Sequence, residues 1–323
     1  MKKIISFFQK PFRYAICFAI VLTGFSVFVL LDTFVIEKVY AVLENPPLEF
    51  AKEKETGTGT GTEIEPKPGE NTEAPPVKIE PVITDMSYLD ENIELKIEKF
   101  DEDGVVFYVA ELKLSDAKYL RTALAKGKFG KNITAKTSVM ATENDALFAI
   151  NGDYYGFNDN GVIMRNGQLL RENPRKNRCG LVIDKNGDLL IIDEKALTAD
   201  KLREINAFQC FSFGPTLVVD GEISINDTGK SKDRNPRTGI GQIAPLHYIF
   251  IVVDGRTKLS KGMKFPEFAE EFKKRGCVTA YNLDGGGSAT MWFNGKVINS
   301  PNDGSYAGER EISDIIYIAG GIN

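Results

Sequence analysis

Histidine is nearly absent from this sequence of 323 residues, in which His247 is the only one. It lies in an apolar segment, residues 245–251, whose composition is typical of a β-strand, so a structural role is favoured over a catalytic one. A Ser-His-Asp hydrolase and a histidine-rich metal centre are therefore poor hypotheses. Any chemistry must depend on Asp, Glu, Arg, Asn, Ser and Tyr.

Cysteine is also scarce. Cys17 lies in an apolar N-terminal segment, which leaves Cys179, Cys210 and Cys277 in the rest of the chain. Three cysteines cannot all pair with one another, so the alternatives are one disulfide with one free thiol, or three buried thiols. No C-x-x-C pair occurs, which argues against a cysteine-rich zinc site.

Basic blocks are missing outside the N-terminus, and the formal net charge is -5. This charge pattern argues against nucleic acid as a partner.

Large apolar residues are almost missing from residues 44–81, which are rich in Glu, Lys, Pro, Thr and Gly. Such a composition cannot bury enough surface to offset chain entropy, so we predict a flexible extracytoplasmic linker over residues 32–81.

The N-terminus combines a basic segment, residues 1–13, with an uncharged apolar run, residues 14–31. This run is long enough to span a membrane, and the basic residues before it favour a cytoplasmic N-terminus with the bulk of the chain exported. We predict a retained signal anchor. The alternative is secretion after cleavage near Ala41, which ends a small-x-small sequence.

Residues 82–323 have the patterns of a single strand-rich α+β domain with a few helices. Residues 93–98 alternate apolar and charged side chains and, with residues 105–114, predict a β-hairpin. The predicted helices cover residues 138–144, 199–206 and 265–275, and further strands are predicted at residues 146–150, 278–283 and 290–293.

Two of these strands end in loops that are rich in polar residues and glycine. After residues 278–283 come Asp284, three glycines and Ser288, a sequence that can present backbone N–H groups to an anionic ligand. After residues 146–150 come Asn151, Gly152, Asp153 and two tyrosines, which suit the hydroxyl groups and ring faces of a sugar or form an Asn-Gly turn.

A third loop contains Asn235-Pro236-Arg237-Thr238 before Gly239 and Gly241. The proline restricts the backbone beside Arg237, whose guanidinium fork matches phosphate or carboxylate oxygens. Asp254, at the end of the strand 251–253, is either a third carboxylate or part of an Asp-Gly hairpin turn. Arg165 and Arg178 are additional cationic candidates.

Asp153 and Asp284 could supply the pair of carboxylates that glycoside hydrolysis uses. A phosphodiester leaving group departs as a stable anion, however, and needs cations and N–H donors more than a general acid. Arg237, the glycine backbone and the Ser288 hydroxyl offer that kind of stabilisation.

These motifs, in this order and spacing, resemble the phosphodiester glycosidase family over most of residues 93–319. The resemblance implies cleavage of the bond between the anomeric carbon of a sugar, such as an N-acetylhexosamine, and a phosphodiester in an envelope glycopolymer or an exogenous sugar phosphate. It implies Asp284, Asp153 and Arg237 as catalytic residues. The predicted substrate-binding residues are Asn151, Tyr154, Arg165, Arg178, Thr238, Asp254, Gly285, Gly286, Gly287 and Ser288.

Two other functions remain open at the level of sequence. In one, a metal-dependent phosphodiesterase attacks phosphorus, with Asp153, Asp254 and Asp284 as ligands of a hard cation such as calcium. In the other, a non-catalytic module binds anionic envelope polysaccharide. The glycosidase hypothesis requires no cofactor.

Overall fold

A nine-stranded antiparallel sheet forms the centre of the computed structural model, which describes residues 11–43, 80–225, 233–304 and 306–320. The predicted hairpin is its longest pair, and apolar side chains of one strand face the core while the alternate charged ones face solvent. In spatial order the strands are β15 (Glu222–Ile223), β14 (Thr216–Val219), β18 (Thr279–Asn282), β16 (Arg237–Ala244), β17 (His247–Val253), β5 (Val105–Leu114), β4 (Ile93–Glu102), β3 (Ser87–Leu89) and β2 (Val82–Ile83).

Two five-stranded antiparallel sheets pack against this central sheet. Phe148, Phe211 and Phe250 come from the three different sheets and lie in one buried cluster, so the main core is shared by all three. One flanking sheet contains β20 (Lys296–Val297), β19 (Met291–Phe293), β8 (Ala146–Asn151), β21 (Asp314–Ala319) and β6 (Leu120–Leu124). The other contains β10 (Gln168–Asn173), β9 (Gly161–Arg165), β13 (Ala207–Phe211), β11 (Cys179–Asp184) and β12 (Leu189–Asp193).

Helices are few among the described residues, as expected for the predicted α+β class. They are α1 (Pro11–Phe34), α2 (Thr137–Glu143), α3 (Ala199–Glu204) and α4 (Phe265–Lys274). The three helices predicted after the linker are confirmed within two residues at each end. Helix α4 packs Phe268 and Phe272 closely against the glycines of β16 and ends before Gly276, whose φ of +78° is readily adopted by glycine.

The N-terminal region differs from the prediction at one place. Helix α1 extends the predicted apolar run of residues 14–31 in both directions, and the most apolar 18-residue window within Phe12–Phe34 has a mean hydropathy of 2.5 with no residue buried. Within the predicted linker, however, β1 (Lys38–Val42) pairs with β7 (Lys128–Lys131), and Leu43 is buried. Backbone pairing and apolar burial therefore order the start of this segment, while residues 44–79 lie outside the described part of the chain.

Two sequence alternatives are settled by the fold. The cysteines are free thiols, with Cys179 exposed and Cys210 and Cys277 buried in separate clusters, so neither proposed cysteine arrangement is correct. The Asp-Gly hairpin at Asp254 is also wrong, because β17 leads through a loop into α4. His247 lies at the opposite end of β17, where its Nε2 is 2.8 Å from Glu111 Oε1, in a structural setting.

Candidate functional site

The three polar loops predicted from the sequence meet at the side chain of Asn151, which ends β8. Its Oδ1 accepts hydrogen bonds from Thr238 Oγ1 at 2.7 Å and from the Thr290 amide at 3.1 Å. Its Nδ2 donates to the Asp284 carbonyl at 2.6 Å. Because β16 and β18 are antiparallel neighbours, the start of one and the end of the other lie side by side. One buried amide thus joins all three motifs.

Asp284 lies at this junction with its side chain only 9% exposed. Its Oδ1 accepts a hydrogen bond from the Gly285 amide at 2.9 Å, and its Oδ2 is 3.4 Å from Arg310 Nη2. Burial raises the pKa of Asp284 to about 6, because the opposing effects of Ser288, Arg310 and Gly285 are smaller than the loss of hydration. The negative charge of Asp153 raises this pKa further.

Arg310 is a site residue that the sequence reasoning missed. Its Nη2 and Nε lie 2.7 and 3.1 Å from Ser288 Oγ, and Nη2 also lies 3.3 Å from the Gly285 carbonyl. Its side chain is 36% exposed, so the guanidinium also faces solvent. The charged segment Glu309-Arg310-Glu311, which precedes the apolar strand β21, was the only sequence signal for it.

A cleft of about 550 Å³ opens beside Arg310. Tyr154 lines it and stacks on Phe157, with ring centroids 4.7 Å apart. Aromatic faces beside charged and hydroxyl groups are suited to a sugar ring, and sugar binding by Tyr154 stays a prediction. The residues lining the cleft are Thr134, Lys136, Tyr154, Phe157, Tyr306, Glu309, Arg310 and Glu311.

The three glycines after Asp284 allow close packing within the protein. A Cβ on Gly285 would lie 2.6 Å from the Pro236 carbonyl oxygen, and one on Gly287 would collide with Asp303. The Gly285 amide donates to Asp284 and the Gly286 amide donates to the Pro236 carbonyl at 3.0 Å. These two N–H groups are therefore engaged by the protein, which corrects the prediction that they face an anionic ligand.

Ser288 and Arg237 also have protein partners. Ser288 is buried and accepts hydrogen bonds from Arg310, so it positions that side chain. The Arg237 guanidinium donates to the Met263 and Asp233 carbonyls at 3.1 and 2.8 Å, and its Cζ lies 3.8 Å from the Phe265 ring centroid. Arg237 thus contacts the α4 side of the central sheet, and a direct catalytic role for it stays a prediction.

Asp153 belongs to a buried ionic cluster. It accepts hydrogen bonds from the Tyr154 and Ser212 amides at 2.6 and 2.7 Å, and its Oδ2 is 3.9 Å from Arg165 Nη2. Arg165 Nε donates to Asp314 Oδ2 at 2.7 Å, while Asp314 Oδ1 accepts from the Asp153 amide at 2.7 Å. Burial raises the pKa of Asp314 to about 6, against the lowering effect of Arg165.

Asp314 is a second residue that the sequence reasoning missed. It begins a strand whose residues are all buried, and a carboxylate in such a place needs a buried cation as its partner. Arg165 is that cation, and because its side chain has no exposed surface it cannot reach a substrate in this conformation. The predicted substrate contact of Arg165 is corrected to a framework role.

The other predicted substrate contacts divide by burial. Asn151, Thr238 and Asp254 are buried and bonded to protein groups, so they hold loops rather than face the cleft. Asp254 accepts hydrogen bonds from Asn299 Nδ2 at 2.9 Å and from the Ser300 amide at 3.0 Å, and burial raises its pKa. Arg178 is exposed and donates to the Phe213 carbonyl at 3.0 Å.

Within the described ranges, no group of three or more His, Cys, Asp or Glu side chains could hold a metal ion. Asp153, Asp254 and Asp284 each accept hydrogen bonds from different parts of the protein. The ligand set that the calcium hypothesis assumed is therefore not assembled by these three carboxylates.

The chain is similar to known proteins in sequence and in fold. A family profile described as phosphodiester glycosidase matches residues 144–319, which contain all three motifs. The SPbeta prophage-derived protein YomE of Bacillus subtilis strain 168 is 30% identical over 201 residues, which are 59% of this chain and 30% of the relative.

Mammalian relatives match over a shorter stretch. Human N-acetylglucosamine-1-phosphodiester alpha-N-acetylglucosaminidase is 31% identical over 119 residues, which are 37% of this chain and 19% of the relative. The mouse protein of the same name is 29% identical over the same shares of both chains. The present chain thus matches less than a third of the length of each of these relatives.

A solved structure shares the fold. The zebrafish N-acetylglucosamine-1-phosphodiester alpha-N-acetylglucosaminidase catalytic domain, auto-inhibited by its pro-peptide, superposes with a TM-score of 0.56 at 23% identity, covering 71% of this chain and 83% of that one. The family profile covers more than half of the present sequence. This protein therefore belongs to the phosphodiester glycosidase family.

Proposed function

We propose that this protein is an exported hydrolase that cleaves the glycosidic bond between a sugar of the N-acetylhexosamine class and a phosphodiester. The substrate is a glycosyl phosphodiester of the cell envelope or of exogenous sugar phosphate. Family membership supports the bond that is cleaved, and the names of the mammalian relatives support the class of sugar.

The observation that carries this proposal is the pairing of Asp284 with Arg310 beside the aromatic cleft. A nearly buried carboxylate with a pKa of about 6 is suited to accept a proton near neutral pH. The adjacent guanidinium is partly exposed and can bind a phosphate oxygen through charge-assisted hydrogen bonds. Tyr154 and Phe157 lie on the same cleft, where a sugar ring would pack.

In the proposed reaction the oxygen of water attacks the anomeric carbon while Asp284 takes the proton of that water. The bond between the anomeric carbon and the bridging oxygen breaks, and its electron pair leaves with the phosphate. Arg310 neutralises the phosphate charge, so no protonated acid is needed for the leaving group. The products are a free sugar and a phosphomonoester, and the proton on Asp284 passes to the product or to solvent.

Asp153 and Arg237 have supporting roles in this scheme. Asp153 holds the amide of Tyr154 at the cleft, and its negative charge keeps the pKa of Asp284 elevated. Arg237 lies within the electrostatic range of Arg256, and burial lowers the pKa of Arg237 to about 10. Two cations behind the triple-glycine loop would add to the positive potential at the phosphate.

Hydrolysis in oxygen-18 water tests the proposal directly. We expect the label in the free sugar, because water attacks carbon. Label in the phosphomonoester would mean attack at phosphorus, as in a phosphodiesterase. Saturable binding of glycosyl phosphodiester without any product would instead identify a binding module, and either result would overturn the proposal.

A further inference from the structure

The segment after α1 is fixed to the domain at several points. Asn132 Nδ2 donates hydrogen bonds to the Thr33 and Ile36 carbonyls at 3.0 and 3.1 Å. Strand β1 then pairs with β7, and the Leu43 amide donates to the Gly127 carbonyl at 2.9 Å. Three residues separate α1 from β1. The domain is therefore held directly at the C-terminal end of the apolar helix.

Gly130 in β7 makes this docking sterically feasible. A Cβ at this position would collide with the carbonyl group of Lys38 in β1. The same Cβ would lie 2.9 Å from Ile133 Cδ1, a side-chain end that can turn aside, whereas the Lys38 carbonyl is backbone and cannot move without β1. A larger residue at 130 therefore requires the backbone of β1 to shift away from β7.

The cleft proposed to bind substrate lies next to this junction. Asn132 contacts the end of α1, and Thr134, only two residues later, lines the cleft. Two residues span at most about 7 Å, so the cleft opens close to the end of the helix. Helix α1 has the length and apolar composition to cross a bilayer. Its C-terminal end would then lie at the membrane surface.

This arrangement changes the role of the polar segment predicted to be a linker. Leu43 is buried in the domain and β2 pairs in its central sheet, so the described residues on both sides of the polar segment belong to the same domain. A segment with both ends on the domain cannot hold that domain away from the helix. The distance between the domain, with its cleft, and the end of α1 is instead limited by the three residues between α1 and β1.

We propose that the substrate is a glycosyl phosphodiester whose phosphate carries a long-chain lipid, and that β1 seats the cleft at the membrane surface where this lipid is anchored. This inference rests on the proposed function and narrows its substrate class. A substrate confined to the bilayer surface meets a cleft fixed at the same height, which raises its effective concentration.

The test compares two synthetic substrates with the same sugar and phosphate. One carries a long alkyl chain and is inserted into phosphatidylcholine vesicles that contain the full-length protein, and the other carries a short, water-soluble alcohol. We expect kcat/KM to be at least about ten-fold higher for the inserted substrate, in line with the gain from tethering. Equal values for the two substrates would overturn the inference while leaving the proposed function intact.

Two variants test whether β1 is responsible for the preference. Gly130→Val should reduce the preference to about two-fold or less while turnover of the soluble substrate is retained, because Gly130 lies outside the catalytic groups. Asn132→Gly removes the bonds to the end of α1 without added volume, and glycine accepts the φ of +58° found there. Soluble-substrate turnover reports that each variant is folded.

Gly295→Val is the control, because this glycine has open space around its Cβ position and lies in the turn between β19 and β20, in a different sheet from β1, although its φ of +83° will cost stability. It should leave the preference unchanged. If both docking variants retain the full preference, the role of β1 is refuted. If neither substrate is turned over by the parent protein, the proposed function fails and the inference falls with it.

Discussion

At the scale of single residues, Asp284 is nearly buried beside the Arg310 guanidinium. Burial raises its pKa to about 6, so its charge changes near neutral pH. If the carboxylate accepts the proton of water, kcat/KM should increase with pH and level off above an apparent pKa near 6. Asp284→Asn should lower kcat by about 10²–10⁴-fold, the usual range for loss of a general base. A pH-rate profile of both proteins checks this, and parental activity in the variant would contradict it.

Burial of the Asp284 carboxylate should also lower the free energy of unfolding once this group is ionised. Its pKa rises from 3.8 in the unfolded chain to about 6 in the fold, so the folded state binds more protons between these values. Stability therefore falls as pH rises through this window, and above it the full cost of the buried charge is present and no longer changes with pH. We expect Asp284→Asn to be more stable than the parent at pH 8, by on the order of 3 kcal/mol, and to lose this advantage below pH 4.

Urea unfolding at pH 4 and pH 8 measures that difference. Asp314→Asn is an instructive comparison, because the pKa of Asp314 is also raised to about 6 but its carboxylate pairs with buried Arg165. Removing that ionised partner leaves a buried guanidinium uncompensated, so Asp314→Asn should destabilise the protein at pH 8 and have much less effect at pH 4, where Asp314 is protonated. A destabilised Asp284→Asn at pH 8 would show that its contacts with Arg310 and Gly285 outweigh burial.

Arg310 gives a separate prediction about phosphate recognition. Arg310→Ala should raise KM and lower kcat, because the guanidinium would contact the phosphate in the bound substrate and in the transition state. The total loss in kcat/KM should be about 10²–10³-fold. Arg310→Lys should recover part of kcat. Arg203→Ala is the control, because Arg203 is exposed and, among the described residues, forms its ion pair with Asp200 on α3. Unchanged kinetics of Arg310→Ala would exclude its contact with phosphate.

At the scale of elements, most boundaries follow from local patterns. The alternating residues of β4 and the apolar stripe of α4 dictate their faces through periods of 2 and 3.6, and the structure has both where the sequence predicts them. The glycine run at 285–287 could be recognised from the sequence as a place where other groups approach the backbone closely. The groups that do so, Pro236 and Asp303, could not be recognised, because they are distant in sequence.

Close packing at the triple-glycine loop, residues 285–287, can be tested by substitution. Gly285→Ala should destabilise the protein by about 1–3 kcal/mol and lower activity, because its Cβ meets a backbone carbonyl that cannot move independently. Gly295→Ala has open space but a φ of +83°, so it should cost about 1 kcal/mol and leave activity unchanged. Urea unfolding and turnover of each variant separate the two effects, and full activity in Gly285→Ala would refute tight packing at this loop.

At the scale of the whole molecule, β1 makes the N-terminal segment part of the folded domain. We therefore predict that the full-length chain is recovered in the membrane fraction with α1 attached, because cleavage near Ala41 would cut within β1. Intact-mass measurement of the membrane-extracted protein checks this. A mass that corresponds to a chain beginning near Val42 would contradict it and favour the secreted form.

The sequence by itself determined the strand-rich α+β class, the apolar N-terminal helix and the three polar loops, because each depends on residues that are close together in the chain. Only the tertiary structure decided which candidates share a site. It placed Arg310 beside Asp284, buried Arg165 against Asp314, and turned Arg237 towards α4. Burial and ion pairing depend on strands that are far apart in sequence, so side-chain type alone could not distinguish a framework cation from one that faces the cleft.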